Sequence, residues 1–458
     1  MLFQSWTFIL FFLVVYPVYL LIRETRLRVP WLFAASYVFY GAWNPYYLLL
    51  ILYSTAADYF FVTRMAKGGR RRFWVGASVV NNLALLGFFK YADFLVNNFN
   101  ALLHWAGVGW SAPPPNVLLP VGISFFVFQS MSYTIDYYRG RVEREPSFLR
   151  YAAFVALFPQ LVAGPIERAK NLLPQLRKAP RVGLSDVSDG LSLFLTGFFK
   201  KVALADYLAL YVDRVYDAPE RFGASALLLA TFAFAWQIYF DFSGYTDMAR
   251  GVARMMGVRL MLNFNNPYLA DSLRDFWNRW HISLSTWFKD YVYIPLGGNR
   301  RGKARTYWNM ALTMVISGLW HGAAWTFVAW GALHALGRVL TRELETAAFY
   351  RERLPRFVKQ AFVFGFVLLT WTFFRAQSIH DAWLIVSRIF TAGWGDPKFP
   401  LLAAGLIASV WGYQFLYESK LRRFLELKWV RTSLAAGMVL YLLLVPGAGA
   451  RPFIYFQF

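Results

Sequence analysis

The sequence predicts an all-α polytopic membrane protein, a single transmembrane domain over 1–458 with about 11 transmembrane helices and some short re-entrant or interfacial ones. Three observations carry that expectation. First, the chain is 58% hydrophobic and only 16% charged, where a soluble globular domain carries roughly 25% charged residues. Second, 20% of its residues are aromatic, as expected of a protein that anchors helices at both bilayer interfaces with Trp and Tyr. Third, apolar runs of spanning length alternate with short polar connections along the whole chain. The net charge of +22 sits between the apolar runs, which fits cytoplasmic loops facing anionic lipid and argues against nucleic acid as a partner.

The segments expected to span are 4–22, 29–43, 46–66, 73–95, 118–138, 189–212, 224–246, 307–319 with 323–340, 358–374, 401–417 and 433–447. The first lacks a basic leader and a small-residue cleavage site, so it reads as a retained helix. Arg23, Arg26 and Arg28 follow it, Arg64, Lys67 and Arg70 to Arg72 follow the third span, and Arg139, Arg141, Arg144 and Arg150 follow the fifth. Alternate connections are thus basic, which puts them in the cytoplasm and the N-terminus outside. The uncharged loop 97–116, with three successive prolines, then falls outside. Shorter apolar stretches at 151–163 and 382–391 suit re-entrant or interfacial positions. Residues 249–306 are too polar and too rich in Arg to span. A polar insertion of that size at membrane depth implies a cavity, because irregular backbone survives there only against protein or water. No internal or inverted repeat is evident.

The chemistry concentrates between 276 and 325. F-W-N-R-W-H-I-S (276–283) leads through Y-I-P-L-G-G-N-R-R-G-K (293–303) to S-G-L-W-H-G-A-A-W (317–325). Two of the five histidines, His281 and His321, each follow a tryptophan there. An ionisable side chain at bilayer depth is unfavourable and signals function by default. His321, between small residues and Trp320, would stay neutral in a narrow low-dielectric passage and take a proton from a hydroxyl. The competing reading is a hydrogen-bonded helix-packing histidine. His281 has Asn278, Arg279, Ser283 and Ser285 within a few residues. It is a candidate for orienting a donor group or relaying protons, and a structural interfacial role stands equally open. A metal held by the pair would need a third ligand, and no such spacing or H-E-x-x-H motif occurs. Without cysteine the chain has no thiolate metal site, disulfide or enzyme-borne cysteine thioester.

W-Q-I-Y-F-D-F-S-G-Y-T-D (236–247) closes an apolar helix. Its Asp241 is placed to orient a buried histidine or pair with an arginine, or else to serve a helix-end turn with Asp247. Lys200, Lys201 and Asp206 suit an interface. The basic loop 295–305 would attract a phosphate-bearing cytosolic ligand such as coenzyme A or an acidic carrier protein, and reads equally as an inside-positive loop. His104 and His380 fall in or beside loops, and His334, in a span without a polar motif, reads as helix packing.

Six motifs taken in order carry a resemblance: F-P-Q-L-V-A-G-P-I (158–166), D-F-S-G-Y-T-D (241–247), N-F-N-N-P-Y (263–268), F-W-N-R-W-H-I-S-L-S (276–285), Y-I-P-L-G-G-N-R (293–300) and G-L-W-H-G-A-A-W (318–325). Together they resemble the membrane-bound O-acyltransferase (MBOAT) family, in the bacterial branch that serves alginate O-acetylation and teichoic-acid D-alanylation. The resemblance implies a ring of helices around a central funnel or tunnel, with His321 as the family's catalytic histidine. His281 corresponds to the second histidine of the bacterial branch, where eukaryotic members usually carry Asn. It further implies acetyl-CoA as acyl donor with no bound cofactor, and a bacterial cytoplasmic (inner) membrane location. A separate extracytoplasmic partner protein would carry the acetyl group onward to a polysaccharide acceptor. Trp277, Asn278, Arg279 and Trp280, with Trp320, Asp241 and Ser285, would hold the donor around the histidines. Two other functions remain: D-alanyl transfer from a carrier protein to teichoic acid, and transport without acyl chemistry.

Overall fold

Apolar runs in a bilayer must close their backbone hydrogen bonds internally, and helices do so within one segment. The structure, a computed structural model, describes residues 1–445, 447, 449 and 451–454, and among them there is helix and no strand. The chain divides into one unit of Met1–Leu191 with Ala249–Met261 and a second of Ser192–Met248 with Leu262–Phe458.

In the first unit, α1 (Trp6–Ile22) opens at Ser5, whose Oγ accepts the Phe8 N–H. It is followed by α2 (Arg28–Gly41) and α3 (Tyr47–Ala66). Then α4 (Arg71–Leu86) passes through a π-helical turn at Gly87–Tyr91 into α5 (Ala92–Trp105). The expected outer loop 97–116 is therefore helical over its first half, since no proline or glycine interrupts the chain before Gly107. α6 (Ile123–Tyr138) is shorter than the expected 118–138 span because Gly122, at φ 76°, breaks the chain ahead of it. α7 (Phe148–Ala156) takes the first part of the 151–163 stretch as a helix, and residues 157–168 continue as irregular backbone, all buried. α8 (Ala169–Arg177) and the start of α9 (Leu184–Phe199) complete the unit.

A buried carboxylate ties this unit together. Asp58 on α3 is fully enclosed and accepts Ser78 Oγ at 2.5 Å, Asn82 Nδ2 at 2.9 Å and Ser130 Oγ at 2.5 Å. Ser130 also meets the Tyr151 hydroxyl at 2.7 Å, so α3, α4, α6 and α7 share one polar network. A buried polar group satisfied this completely locks helix register, which apolar packing alone leaves loose.

In the second unit α9 meets a π-helical turn at Lys200–Ala205 and resumes as α10 (Asp206–Tyr216), interrupting the expected 189–212 span. α11 (Ala224–Met255) follows, then α12 (Leu273–Arg279) and α13 (Ile282–Phe288), two short helices in the polar segment. α14 (Gly302–His321) and α15 (Trp325–Leu344) form a hairpin. After it come α16 (Arg356–Arg375), α17 (Ile379–Thr391), α18 (Leu401–Tyr417), α19 (Arg422–Leu425) and α20 (Lys428–Leu444).

Among the described residues, four helical stretches are by themselves long and apolar enough to cross a membrane: Tyr47–Ala66, Arg71–Trp105, Ala224–Met255 and Arg356–Arg375. α14 falls outside that group because one side of it is polar and buried, with Asn309, Thr313, Ser317 and His321 facing protein. These polar residues, with the basic first turn, lower the mean hydropathy of the helix. The hairpin approaches closely at two glycines. A methyl on Gly318 would overlap the Phe327 carbonyl, and one on Gly331 would stand 2.5 Å from the Met314 oxygen. Gly331→Ala is expected to destabilise the detergent-solubilised protein by about 1–3 kcal/mol, seen as a lower thermal midpoint. Gly365→Ala, with nothing within 4 Å of the added carbon, should leave the midpoint unchanged.

Candidate functional site

The site grows from a break between two short helices. Ser272 caps α12, its Oγ accepting the Asp275 N–H at 3.0 Å. The helix ends at Trp280, and His281 then takes a left-handed backbone with φ 42° and ψ 55° before α13 begins. Two backbone bonds fix this corner: Ile282 N–H donates to the Asn263 carbonyl and Asn265 N–H to that of Arg279, both at 2.9 Å.

That arrangement aims His281 at the Asn263 side chain. Asn263 Oδ1 accepts the Ser283 N–H at 3.1 Å and the Ser283 hydroxyl at 2.9 Å, and lies 3.2 Å from His281 Nδ1. A backbone N–H can only donate, so the atom it meets on Asn263 is the oxygen. His281 Nδ1 therefore carries the hydrogen, and in the neutral ring Nε2 carries the lone pair. His281 is fully buried and lies outside the four spanning stretches. Burial lowers its pKa from 6.5 to about 3, which keeps the ring neutral at physiological pH.

His321 closes α14, and Gly322 beyond it is extended at φ −160°. Only 3% of His321 is exposed. Its ring stands edge-on to Trp320, Trp330 and Phe374, with centroids 5.0, 5.1 and 5.3 Å away. The two imidazole centroids are 6.5 Å apart, and Trp320 is in ring contact with both. Two imidazoles at that separation, walled by aromatic rings, can act on one small polar group between them.

The other expected residues divide. Trp280 is buried against Phe264, Phe276 and Trp371. Trp277 turns instead toward Trp330 and His334. Asn278 is exposed, and Arg279 is held by Asp275 at 2.8 Å and Glu418 at 2.5 Å. Ser285 donates to the Trp280 carbonyl, so Ser283 is the serine that reaches His281. Asp241 accepts Lys201 Nζ at 2.7 Å and the Ile454 N–H at 2.6 Å, and Lys201 also meets Asp206 at 2.8 Å. It sits one residue before Phe242, whose ring is 4.6 Å from His281. His334 is enclosed by Phe276, Trp277, Trp330 and Phe366, and neither ring nitrogen has a hydrogen-bond partner among the described residues.

A family model for the membrane-bound O-acyltransferases matches residues 141–379, which contain both histidines and Asn263. The chain belongs to this family. The Azotobacter vinelandii protein described as "Probable alginate O-acetylase AlgI" is 41% identical over 397 residues, 86% of this chain and 79% of that one. A Helicobacter pylori peptidoglycan O-acetyltransferase is 36% identical over 384 residues, 77% of this chain and 72% of that one. A Bacillus subtilis teichoic acid D-alanyltransferase is 30% identical over 233 residues, 49% of this chain and 59% of that one. The protein is thus a multi-pass membrane O-acyltransferase.

For this O-acyltransferase, sequence reasoning missed Asn263, although it opens the N-F-N-N-P-Y motif. The nearest signal was that cluster of asparagines before a proline, which marks a turn without saying what the turn holds. Trp330 and Phe374 were equally silent, being aromatic residues among many.

The Asn263 geometry has a pH signature. The unfolded chain protonates His281 below about 6.5 while the fold resists until about 3, so stability declines as pH falls through that window. The slope reaches about 1.4 kcal/mol per pH unit. Asn263→Asp sets a carboxylate against Nδ1, raises the folded pKa and is expected to flatten this acid limb. Asn263→Ala removes the shared acceptor and should destabilise by about 1–3 kcal/mol for each stranded donor. Thermal unfolding between about pH 5 and 7 reads both effects, and an Asp variant whose profile superimposes on wild type would refute the assignment.

Proposed function

We propose that the protein is an O-acetyltransferase of the bacterial cytoplasmic membrane, acting for O-acetylation of an extracytoplasmic polysaccharide. Acetyl-CoA is the donor on the cytoplasmic side, and an extracytoplasmic partner protein delivers the acetyl group to the glycan. The whole chain works as one transmembrane domain with its N-terminus outside. About 11 membrane helices surround a passage with the histidine pair at its waist. The observation that carries the reading is the buried pair itself, two imidazoles 6.5 Å apart with one of them fixed in tautomer.

His321 is the general base. It takes the proton of the acceptor hydroxyl as that oxygen attacks the thioester carbonyl carbon. The tetrahedral adduct collapses, the carbon–sulfur bond breaks, and His321 returns the proton to the departing sulfur. His281 is the acceptor of the pair: with Nδ1–H engaged by Asn263, its Nε2 accepts a pantetheine amide N–H and holds the donor in line. Its low proton affinity leaves it without a proton to give the leaving thiol, so that proton travels through His321. Trp320 lines the donor approach beside both histidines, and Trp277 backs Trp330 behind it, where aromatic walls exclude water from the thioester. Relatives named for O-acetylation of alginate and of peptidoglycan support the acetyl donor and the glycan acceptor over the D-alanyl alternative, whose relative matches half of this chain.

The test is transfer from radiolabelled acetyl-CoA by the protein in nanodiscs, with partner and glycan supplied. His321→Ala is expected to remove transfer, a loss of at least about 10²–10⁴-fold. His281→Ala should lower kcat while leaving donor hydrolysis detectable. If wild type ignores acetyl-CoA and consumes carrier-borne D-alanine, the donor assignment is wrong. If His321→Ala turns over as wild type does, the base assignment is wrong.

A further inference from the structure

The second unit holds a cleft away from the histidines, with a volume of about 500 Å3. Four helix ends meet around it: α10 and α17 finish at or just before it, and α11 and α18 start at or just after it. Arg214, Arg221 and Lys398 line it together with Trp394, and Asp396 is the acid on its wall. α11 is one of the stretches able to cross a membrane, and its apolar run begins at Ala224 itself. A cleft at the first residues of such a span sits at the depth of the lipid headgroups, where tryptophan is also favoured.

The surroundings of the cleft are apolar and uncovered. Phe390 near the end of α17 is 81% exposed, Leu401 at the start of α18 is 88% exposed, and Trp394 between them is 71% exposed. On α10, Leu210 is exposed one turn ahead of the exposed Arg214, so an apolar side chain and a cation share one helix face. Acyl chains cover such residues in a bilayer. A water-soluble anion would engage the cations alone and leave these side chains bare.

The cations are available to a ligand. Among the described residues, Arg214 and Lys398 have no carboxylate at ion-pair distance. Asp213, the chain neighbour of Arg214, is taken by Arg375 at 2.8 Å and by Arg451. The Asp396 carboxylate accepts the Lys398 backbone N–H at 2.9 Å. Arg221 stands 3.7 Å from Glu220, a contact between two exposed side chains that contributes little. The walls are ordered without a ligand: Ala224 N–H donates to the Gly393 carbonyl at 3.1 Å, Ser225 Oγ to that of Gly395 at 2.7 Å and Tyr211 OH to that of Pro397 at 2.8 Å. A phosphate entering here meets donors that are already placed.

We infer that this cleft is a binding site for an anionic phospholipid. The phosphate lies on Arg214, Arg221 and Lys398, the glycerol region beside Trp394, and the acyl chains along the exposed faces of α10, α17 and α18. The inference goes beyond the O-acetyltransferase reading and is independent of the acyl donor. The test uses the full chain in a neutral detergent, stripped of copurified lipid. Native mass spectrometry then reads occupancy of the first bound lipid as phosphatidylglycerol, or phosphatidylcholine with the same acyl chains, is added. Phosphatidylglycerol is expected to reach half occupancy at a concentration at least about tenfold lower. It should also raise the thermal midpoint at concentrations where phosphatidylcholine does not. Arg214→Gln combined with Arg221→Gln, both at exposed positions, should cut that preference by at least about tenfold, at roughly fivefold for each lost cation. Arg26→Gln combined with Arg72→Gln, two exposed cations of the first unit, should leave it in place. Equal occupancy by the two lipids overturns the inference. So does an equal loss in the two double variants, the mark of diffuse attraction to basic loops. Glycerophosphoglycerol, the headgroup alone, should not displace the lipid at equal concentration; displacement would assign the cleft to a soluble phosphate ester instead. Lipid preference and headgroup competition are both read on wild type, so they decide the matter even where a variant fails to fold.

Discussion

The carboxamide oxygen of Asn263 is the point on which the histidine site depends. It takes the Ser283 N–H and hydroxyl and the His281 Nδ1–H together, while the carbonyl of the same residue takes the Ile282 N–H. One residue thereby fixes a corner of backbone, the rotamer of an imidazole and its tautomer. In a dry interior each bond is stronger than in water and each loss more damaging. The positioning of His281 is thus set by an uncharged partner, which orients the ring without raising its proton affinity as a carboxylate would.

The helices were legible because a lipid-facing or buried helix is written in long apolar runs, and every expected span contains one. His321 drew attention for a related reason, an ionisable ring in an otherwise apolar run. What stayed hidden depends on contacts across sequence. Asn263 lies 18 residues from His281, and Ser130 lies 72 from Asp58. Composition carries no trace of such pairings. Ser283 and Ser285 were both expected near His281 on spacing; after the left-handed turn at 281 Ser283 reaches the ring, while Ser285 donates to the Trp280 carbonyl. Arg279 looked like a donor-binding cation and is engaged by Asp275 and Glu418, the latter 139 residues away. The breaks at Lys200–Ala205 and Gly87–Tyr91 were invisible because a π-helical turn uses the same apolar residues as the α-helix around it.

The Lys201–Asp241–Asp206 cluster gives the second unit a different kind of polar interior. A buried ion pair adds little net stability, since removing the charges from water offsets most of their attraction. Its contribution is to geometry: Lys201 comes from a π-helical turn, Asp241 from α11, and the Asp241 carboxylate also receives the Ile454 N–H. Phe453 packs on Phe242, and Phe242 packs on His281. Three elements distant in sequence thus converge behind one ring. The two units solve one problem with different chemistry, a hydroxyl-and-amide network around Asp58 and a charged cluster around Lys201.

The backbone at position 281 also constrains what evolution can write there. With φ at 42°, a β-branched or bulky side chain would strain the chain, whereas His, Asn and Asp are the non-glycine residues most often found in that region. An exchange of imidazole for carboxamide at 281 therefore meets almost no conformational barrier, and both side chains can accept a hydrogen bond toward the reacting group. Lineages could drift between the two without rebuilding the turn. The position is permissive in identity because it is restrictive in shape.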